Sequence, residues 1–332
     1  MLDVRKLVLL REVEIRGSIA AAAQALNYTR SAVSQQLSAL EAETGRQLLD
    51  RGSRRAGLTA TGRLLTEHTE RILAGLETAE AELQATTGRV SGELRVGVPF
   101  HEGPALLVPA LSRVREAHPE LRITLQGMST GRARKAVQLG QVDMVLAVRY
   151  DQVPEPSVPG LHEEPLVADR IRLVTGPCGE EDARPPVRRL ADFADRPWIL
   201  TDDSGLHDLV LHACAAAGFA PDVVARTGDT QAVLGLVSFG WGVSLIPDLV
   251  PDRSGYPVRR HAVDGCRLLR HLSLVVRQGA LARPAVAAVM AAVREAVDDL
   301  PGQGTDRRPT RPGGAGTVPG AETASGAGAE DG

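Results

Sequence analysis

The chain has 332 residues, of which 43% are hydrophobic, so it is long enough for two or three compact domains with ordinary apolar cores. Only 3% are aromatic, which leaves little material for stacking on single-stranded nucleic acid. Residues 1–63 carry ten Lys/Arg and six Asp/Glu, a net +4, so the remainder of a chain with net charge −3 carries −7. A basic N-terminal segment joined to an acidic remainder is suited to phosphate contact at one end of the chain. Chance clustering of surface charge is the alternative.

The cysteines Cys178, Cys214 and Cys266 are far apart and form no C-x-x-C. This spacing argues against a disulfide framework or a zinc site and favours reduced, packed thiols, with a redox-sensing pair as the alternative. The N-terminus lacks the unbroken apolar core of a secretory signal, and no run of about 18 apolar residues predicts a membrane span. We therefore expect a cytoplasmic protein without a metal, a cofactor or membrane contact.

Three short helices are predicted at the N-terminus. Residues 2–16 carry apolar side chains at helical spacing, and Gly17 ends that helix. Ser18 can cap a second, alanine-rich helix, and Thr29 can cap a third that runs to about Thr44.

The third helix has two different faces at about 100° per residue. Its apolar side is formed by Val33, Leu37 and Leu40. Its opposite side carries short hydroxyls and an amide, namely Ser31, Ser34, Gln35 and Ser38. Gln can bond bidentately to adenine and Ser can donate or accept, while a helix N-terminus with Thr29, Arg30 and Ser31 favours a phosphate. The pattern predicts a base-reading surface, with a merely solvated polar face as the alternative.

A hairpin is expected over residues 46–59, and a long helix from about Ala60 to Thr87. Two sets of positions spaced by seven give this helix a mostly apolar seam of the coiled-coil type. They are Leu65, Ile72 and Ala79, and Thr69, Leu76 and Leu83. The seam favours pairing with a second chain, and a helix lying on its own domain is the alternative.

Between Gly92 and Leu300, strand-like and helix-like stretches alternate, which predicts a parallel sheet covered on both faces. The predicted strands are Glu93–Val98, Leu121–Leu125, Asp143–Val148, Ile171–Thr175, Trp198–Thr201, Val223–Arg226, Val243–Ile246 and Leu272–Val276. The predicted helices are Leu106–Ala117, Gly131–Leu139, Leu206–Ala217, Thr230–Phe239 and Ala282–Leu300. Residues 301–332, with nine Gly and four Pro, are expected to form a disordered tail.

The amino-acid sequence of the first hundred residues resembles the signature of LysR-type transcriptional regulators. Residues 18–41 read SIAAAAQALNYTRSAVSQQLSALE, followed by Gly45, LLDR at 48–51, LTATG at 58–62 and GELRVG at 92–97. The resemblance spans about residues 2–300 and is strongest over 1–65. The family usually has Phe at Leu49 and Ala at Thr61, and both departures fall on positions interpreted as structural.

The resemblance implies a winged helix-turn-helix DNA-binding domain over 1–59 and a linker and dimerisation helix over 60–91. It also implies an effector-binding domain over 92–300. The groove-facing residues would be Thr29, Arg30, Ser31, Ser34, Gln35 and Ser38. The wing residues Arg51, Arg54 and Arg55 would contact the DNA backbone or minor groove.

The effector domain of this family has two lobes and shares its α/β fold with periplasmic ligand-binding proteins. Here lobe 1 would be residues 92–166 with 272–300 and lobe 2 residues 170–267, joined near Leu166–Arg170 and Arg267–His271. Ligands bind beyond the C-terminal ends of strands, where the chain changes lobe. The candidates at those ends are Pro99, Phe100, His101, Ser129, Thr130, Arg149, Thr201, Asp202, Ser204 and Thr227. Phe239 is a further candidate, because the turn at residues 239–242 resembles the family's Gly-x-Gly before a strand and would line the wall of the site.

Several of these candidates have a simpler interpretation. Ser129 and Thr130 can cap the helix that follows them, as can Asp202 and Asp203 with the next helix. Arg149 and His101 could bind a carboxylate or could be surface charges.

An enzyme is not expected. Asp202 and Asp203 are adjacent on a strand and point opposite ways, and His207 and His212 are five apart, which does not align them on one helix face. Gly-x-Ser-x-Gly, a P-loop and a complete Gly-x-Gly-x-x-Gly are all missing from the sequence.

The sequence therefore predicts a DNA-binding regulator of LysR type whose promoter binding is modulated by a small-molecule effector. Expected partners are double-stranded promoter DNA, the effector, RNA polymerase and further copies of the chain in a homodimer or homotetramer. The alternative, a solute-binding protein without DNA function, explains residues 92–300 but leaves 1–87 without a purpose.

Overall fold

The computed structural model describes residues 2–50, 57–86, 88–99, 103–151, 153, 158–177, 187–202, 204–251, 255–265 and 267–300. Within these ranges the helices are α1 (Val4–Arg16), α2 (Ile19–Ala25), α3 (Arg30–Thr44), α4 (Ala60–Ala85), α5 (Gly103–Ala117), α6 (Thr130–Gln138), α7 (Ser204–Ala216), α8 (Thr230–Ser238) and α9 (Pro284–Asp298). Each helix of the described part is too short or too polar to cross a membrane.

The strands of the same ranges are β1 (Leu49–Asp50), β2 (Gly57–Leu58), β3 (Gly92–Pro99), β4 (Leu121–Met128), β5 (Met144–Tyr150), β6 (Leu161–Thr175), β7 (Val187–Arg188), β8 (Pro197–Thr201), β9 (Asp222–Thr227), β10 (Ser244–Pro247), β11 (Arg259–Val263) and β12 (Leu269–Arg277). Two 3-10 turns, Leu190–Phe193 and Gln278–Ala282, complete the elements of the described ranges.

The three N-terminal helices begin and end at residues with capping chemistry. The side chains of Ser18 and Thr29 accept hydrogen bonds from the third residue after each, 3.1 Å in both cases. Gly17 and Gly45 end α1 and α3 in the left-handed region, at φ 75° and 62°, where a glycine has no steric penalty. The helices enclose a separate apolar core to which α1, α2, α3 and the β1–β2 hairpin contribute.

The larger sheet is mixed, so the expectation of a parallel sheet was only partly right. Its strand order is β4-β3-β5-β12-β6-β11-β7, with β10 also paired to β6. β3 is parallel to β4 and β5, but β12 is antiparallel to both β5 and β6. One face of the lobe 1 strands packs on α5 and α9, and the other face packs on α6. Strands β8 and β9 form a separate parallel pair.

β6 extends from lobe 1 into lobe 2. Residues 161–170 pair with β12, and from Ile171 onward the strand pairs with β10 and β11 instead. The first half of β6 was not predicted because it contains Pro165, which cannot donate to a ladder. The structure accommodates the proline at a register shift opposite Leu272/Ser273.

α4 divides its apolar residues between two surfaces. Leu65 packs against the N-terminal core, and Thr69 is buried with its hydroxyl donating to the Leu65 carbonyl, 2.8 Å away. These two positions therefore do not belong to the predicted seam. Its other four members follow the spacing 4, 3, 4 along the helix on a side that is open to solvent: Ile72, Leu76, Ala79 and Leu83. The opposite side of α4 contacts α1 and the turn Gln278–Ala282.

Candidate nucleic-acid interface and ligand site

The two faces predicted for α3 differ in burial as the helical wheel requires. Val33, Leu37 and Leu40 are buried in the N-terminal core. The six groove-facing candidates are open to solvent: Thr29, Arg30, Ser31, Ser34, Gln35 and Ser38. One end and one side of α3 therefore present donors and acceptors to solvent on a helix whose other side is anchored.

Thr29 has a structural role besides its exposure. Its hydroxyl accepts from the Ala32 N–H at 3.1 Å and lies 3.0 Å from the Ser31 hydroxyl. This cap fixes the backbone of the first turn of α3, so the exposed side chains of that turn project into solvent in a fixed direction.

Tyr28 was not among the sequence candidates, although it is 55% exposed directly before α3. It follows Asn27, which has a φ of 57°, and that bend directs the chain out of α2. An exposed tyrosine next to a capping threonine in a chain with 3% aromatic residues is the signal that could have identified it. Its hydroxyl can donate to a phosphate.

The wing is represented by its two strands. Leu49 pairs with Leu58 and Asp50 with Gly57, antiparallel. Leu49 is buried in the N-terminal core, as its structural interpretation requires, whereas Thr61 is exposed at the start of α4. Arg51, Arg54 and Arg55 lie outside the described residues.

At the carboxyl edge of lobe 1, β3 ends at the buried Pro99, paired with Met128 at the end of β4. Ser129 is exposed at the N-cap position of α6, but its hydroxyl makes no capping bond to the described residues, so the capping interpretation of Ser129 was wrong. Thr130 begins α6 and is buried. Arg149 is half-buried near the end of β5, and Phe100 and His101 lie outside the described residues.

In lobe 2 the adjacent strands β8 and β9 bring three candidates together. Thr201 pairs with Thr227, and the Asp202 N–H donates to the Thr227 carbonyl at 3.1 Å. The Thr201 hydroxyl is buried and has no hydrogen-bond partner among the described residues. Such a group is costly to leave unsatisfied and is suited to bond a ligand. Asp203 and the Ser204 side chain lie outside the described residues.

One helix connects the strand that carries Thr201 to the elements of lobe 1 that carry the other candidates. α7, which begins directly after this strand end, contacts α6 and β5 of lobe 1. We call the residues at this edge the interlobe surface: Pro99, Ser129, Thr130, Arg149, Thr201, Asp202 and Thr227.

Phe239 does not belong to the interlobe surface, which corrects its prediction as an effector contact. It follows the C-terminal end of α8, and the Val243 N–H after this turn donates to the Pro197 carbonyl at 2.9 Å. Pro197 is the first residue of β8 and Thr201 the last, so Phe239 lies at the opposite end of that strand. Phe239 is 75% exposed and contacts Tyr256 edge-on, with Trp241, 58% exposed, beside it.

A fully buried ion pair holds the junction between the lobes. Arg270 donates from Nε to Asp169 Oδ2 at 2.9 Å, and both side chains are 0% exposed. Asp169 also accepts from the Leu249 N–H of lobe 2, at 3.1 Å. Burial raises the pKa of the Asp169 carboxyl above its ordinary value, although Arg270 acts in the opposite direction.

Cys214 lies buried in α7, and burial raises the pKa of its thiol to about 12. Because the thiolate is the reactive form, we expect Cys214 to be inert toward a thiol reagent at neutral pH in the folded protein. Titration with an aromatic disulfide reagent should give the same number of fast-reacting thiols in wild type and C214A, and one fewer in C214A after unfolding. A lower native count in C214A would contradict this expectation.

Two family models match the chain. The model described as bacterial regulatory helix-turn-helix protein, lysR family, matches residues 4–63. The model described as LysR substrate binding domain matches residues 87–298, which is more than half of the chain.

The chain is also similar to curated proteins and solved structures. The transcriptional regulator MetR of Escherichia coli K12 is 28% identical over 314 residues, covering 93% of this chain and 96% of MetR. The regulator YcgK of Bacillus subtilis is 26% identical over 262 residues, covering 75% of this chain and 81% of YcgK. The structure of a full-length OxyR variant from Pseudomonas aeruginosa superposes with a TM-score of 0.60 at 14% identity, covering 94% of this chain and 99% of that OxyR chain. That structural likeness concerns the fold alone.

Proposed function

Because this chain belongs to the LysR family of DNA-binding transcriptional regulators, we propose that α3 enters the major groove of promoter DNA and that a small molecule at the interlobe surface modulates this binding. The observation that carries the proposal is the exposed polar side of α3, with its apolar side anchored in the N-terminal core. The alternative of a solute-binding protein is not favoured, because it leaves residues 4–63 unexplained. Proteins of this family are generally not enzymes.

Different residues serve different parts of DNA recognition in this proposal. Ser34, Gln35 and Ser38 reach base edges, while Arg30, Ser31 and Thr29 at the start of α3 contact phosphate. Tyr28 donates its hydroxyl to the backbone beside them. The wing arginines Arg51, Arg54 and Arg55 contact backbone or minor groove.

Gln35→Ala tests base reading. Removing a bidentate amide contact should cost about 1–3 kcal/mol, roughly 5- to 150-fold in affinity, for a duplex enriched from a random pool by the wild-type protein. Affinity for duplexes changed at the contacted base pair should fall much less, so sequence preference relaxes. Fluorescence anisotropy over a panel of single-base-pair variants measures both quantities.

Gln36→Ala is the matched control, since Gln36 is an exposed neighbour of the same residue type that points away from the groove-facing set. We expect Gln36→Ala to leave the protein's preference among the duplexes of the panel unchanged.

Arg30→Ala should weaken binding to all duplexes alike and reduce the salt dependence of binding by about one phosphate contact. Uniform loss across the panel for Gln35→Ala would exclude a role in base reading.

The interlobe surface suits a small polar molecule that carries an anionic group. The N–H groups in the first turn of α6 form the positive end of the helix dipole. Arg149, whose charge also acts on the Glu163 carboxylate, adds a cation near the end of β5 in lobe 1. Thr201 offers its unsatisfied hydroxyl from lobe 2. A ligand that bonds to both sides would close the lobes on each other.

Members of this family form oligomers, and α4 supplies a surface for one here. Its exposed seam of Ile72, Leu76, Ala79 and Leu83 continues for three turns on one side of the helix. We infer a homodimer through paired α4 helices, which would place two α3 helices on successive major grooves.

Further exposed apolar side chains offer a second contact for a homotetramer. They lie on α5 and β4 of lobe 1 and on α7 and β9 of lobe 2: Val108, Leu125, Leu211 and Val224. As a promoter-bound regulator the protein would act in the cytoplasm and contact RNA polymerase.

A further inference from the structure

The C-terminal end of α6 is held by two arginines from distant parts of the chain. Arg11 of α1 donates from Nη2 to the Gln138 carbonyl at 2.7 Å. Arg277 of β12 donates from Nη1 to the Val137 carbonyl at 3.2 Å. These carbonyls belong to the last turn of α6, where intrahelical partners end and the helix dipole is negative, so cations are favourable there.

Each of these arginines is also bound by a glutamate of α4. Arg11 Nε lies 2.6 Å from Glu70 Oε1, and Arg277 Nε lies 2.6 Å from Glu77 Oε1. Glu70 and Glu77 are seven residues apart, two turns along one side of the helix. Arg11 and Glu70 are both buried, so this pair is not a loose surface contact.

The backbones on either side of these pairs touch. A Cβ atom added to Gly279, in the turn after β12, would lie 2.4 Å from the Ala74 carbonyl of α4. Any side chain at position 279 would therefore push α4 away from lobe 1. We call Arg11, Glu70, Glu77, Gln138 and Arg277 the α6 junction.

The other end of α6 lies at the interlobe surface, where Ser129 and Thr130 begin the helix. Nine residues at about 1.5 Å each make α6 a rod of about 13 Å. We propose that α6 couples effector binding to DNA binding: a shift of its first turn moves its last turn against Arg11 and Arg277, and so repositions α1 and α4. This inference rests on the proposed function, in which the effector acts at the first turn of α6.

Ser129→Asp serves as a fixed anionic group at this end, since position 129 is exposed and an aspartate there can cap α6. Ser129→Asn is the control that caps without charge. In the wild-type background we expect S129D, relative to S129N, to change affinity for the enriched duplex at least about fivefold, the lower range of allosteric couplings. In the R11M/R277M background the affinities of S129D and S129N should differ less than about twofold. Position 129 and the DNA-binding surface would then be distant, independent sites.

Arg16→Met is the matched background. Arg16 also lies on α1 and pairs with Glu12, which Arg11 contacts as well, and its pair is within a single helix. The effect of S129D should persist in R16M. If R11M/R277M does not fold, R11K/R277K replaces it, because a lysine keeps the charge but cannot span both a carboxylate and a carbonyl as arginine does.

Hydrogen exchange gives a readout that does not depend on DNA. S129D should change amide exchange over residues 7–13 and 70–77 in wild type and in R16M, but not in R11M/R277M. Equal effects of S129D in all backgrounds, or none in wild type, would overturn the coupling through α6. Failure of the wild-type protein to enrich any duplex would instead count against the proposed function, while the exchange experiment would still decide the coupling.

Discussion

Arg270→Met should lower the free energy of unfolding by about 3–5 kcal/mol, because it leaves the Asp169 carboxylate buried without its partner. Both side chains are 0% exposed, so bulk solvent does not reach the carboxylate in the native fold. The double variant R270M/D169L removes both charges and should recover most of that loss. Urea unfolding followed by tryptophan fluorescence compares the three proteins.

Arg294→Met is the control for this experiment, since Arg294 pairs with Glu164 on the surface and should contribute about 0–1 kcal/mol. If R270M were no less stable than R294M, the buried pair would not hold the lobes as we describe.

The loss in R270M should also depend on pH. The native Asp169 carboxyl has a raised pKa and so binds its proton to higher pH than in the unfolded chain. Raising pH through that window therefore lowers the free energy of unfolding, and the stability is regained toward acid. Removing Arg270 raises this pKa further, so the deficit of R270M against wild type should shrink when the pH is lowered from about 7 toward about 5. A deficit that grew toward acid would contradict this assignment.

The double variant L76E/L83E should convert the protein from a dimer to a monomer. In a two-fold symmetric contact each substitution is made twice, so four leucine side chains are lost from the seam. At about 1.5–3 kcal/mol per buried leucine the loss is roughly 6–12 kcal/mol as an upper estimate, or four or more orders of magnitude in the dissociation constant. Light scattering coupled to size exclusion measures the mass directly.

Leu64→Glu is the matched control for the seam. Leu64 is an exposed leucine on the same helix, about a quarter turn away from the line of Ile72, Leu76 and Leu83. We expect L64E to remain dimeric. If L76E/L83E remained dimeric, the oligomer contact would lie elsewhere on the protein. The affinity of that variant for a duplex with two half-sites would then remain at the wild-type level.

The N-terminal helices could be predicted almost completely because local chemistry determines them. Ser18 and Thr29 cap helices, Gly17 and Gly45 end them, and the spacing of Val33, Leu37 and Leu40 assigns the buried side of α3. The exposure of Gln35 follows from the same periodicity. Each of these inferences needs only neighbours within about four residues.

The effector domain was less predictable because its pairing is set by distant residues. The proline at position 165 indicated a break in β6, yet a register shift opposite Leu272 accommodates it within the sheet. Local patterning gives no sign that β12 runs antiparallel between β5 and β6. Strands β7 and β11 were not predicted, since β7 has two residues and β11 is largely polar.

The candidate site residues also divide into those located by local sequence and those located by contacts with distant residues. Thr201 and Thr227 were located correctly at strand ends, because the end of a strand is a local property. Phe239 was misplaced, since which end of β8 its turn approaches depends on the Val243 contact with Pro197. The bond from Arg11 to Gln138 joins residues 127 apart and has no local signature.

The position of Trp198 makes the protein its own optical probe for an unknown effector. The chain has two tryptophans, and Trp198 is fully buried three residues before Thr201, with its indole N–H donating to the Phe193 carbonyl at 3.1 Å. Trp241 is exposed at the far end of β8, where acrylamide can quench it selectively. A W241F protein would emit from Trp198 alone, so metabolite mixtures could be fractionated by spectral change without a label and without knowing the target genes.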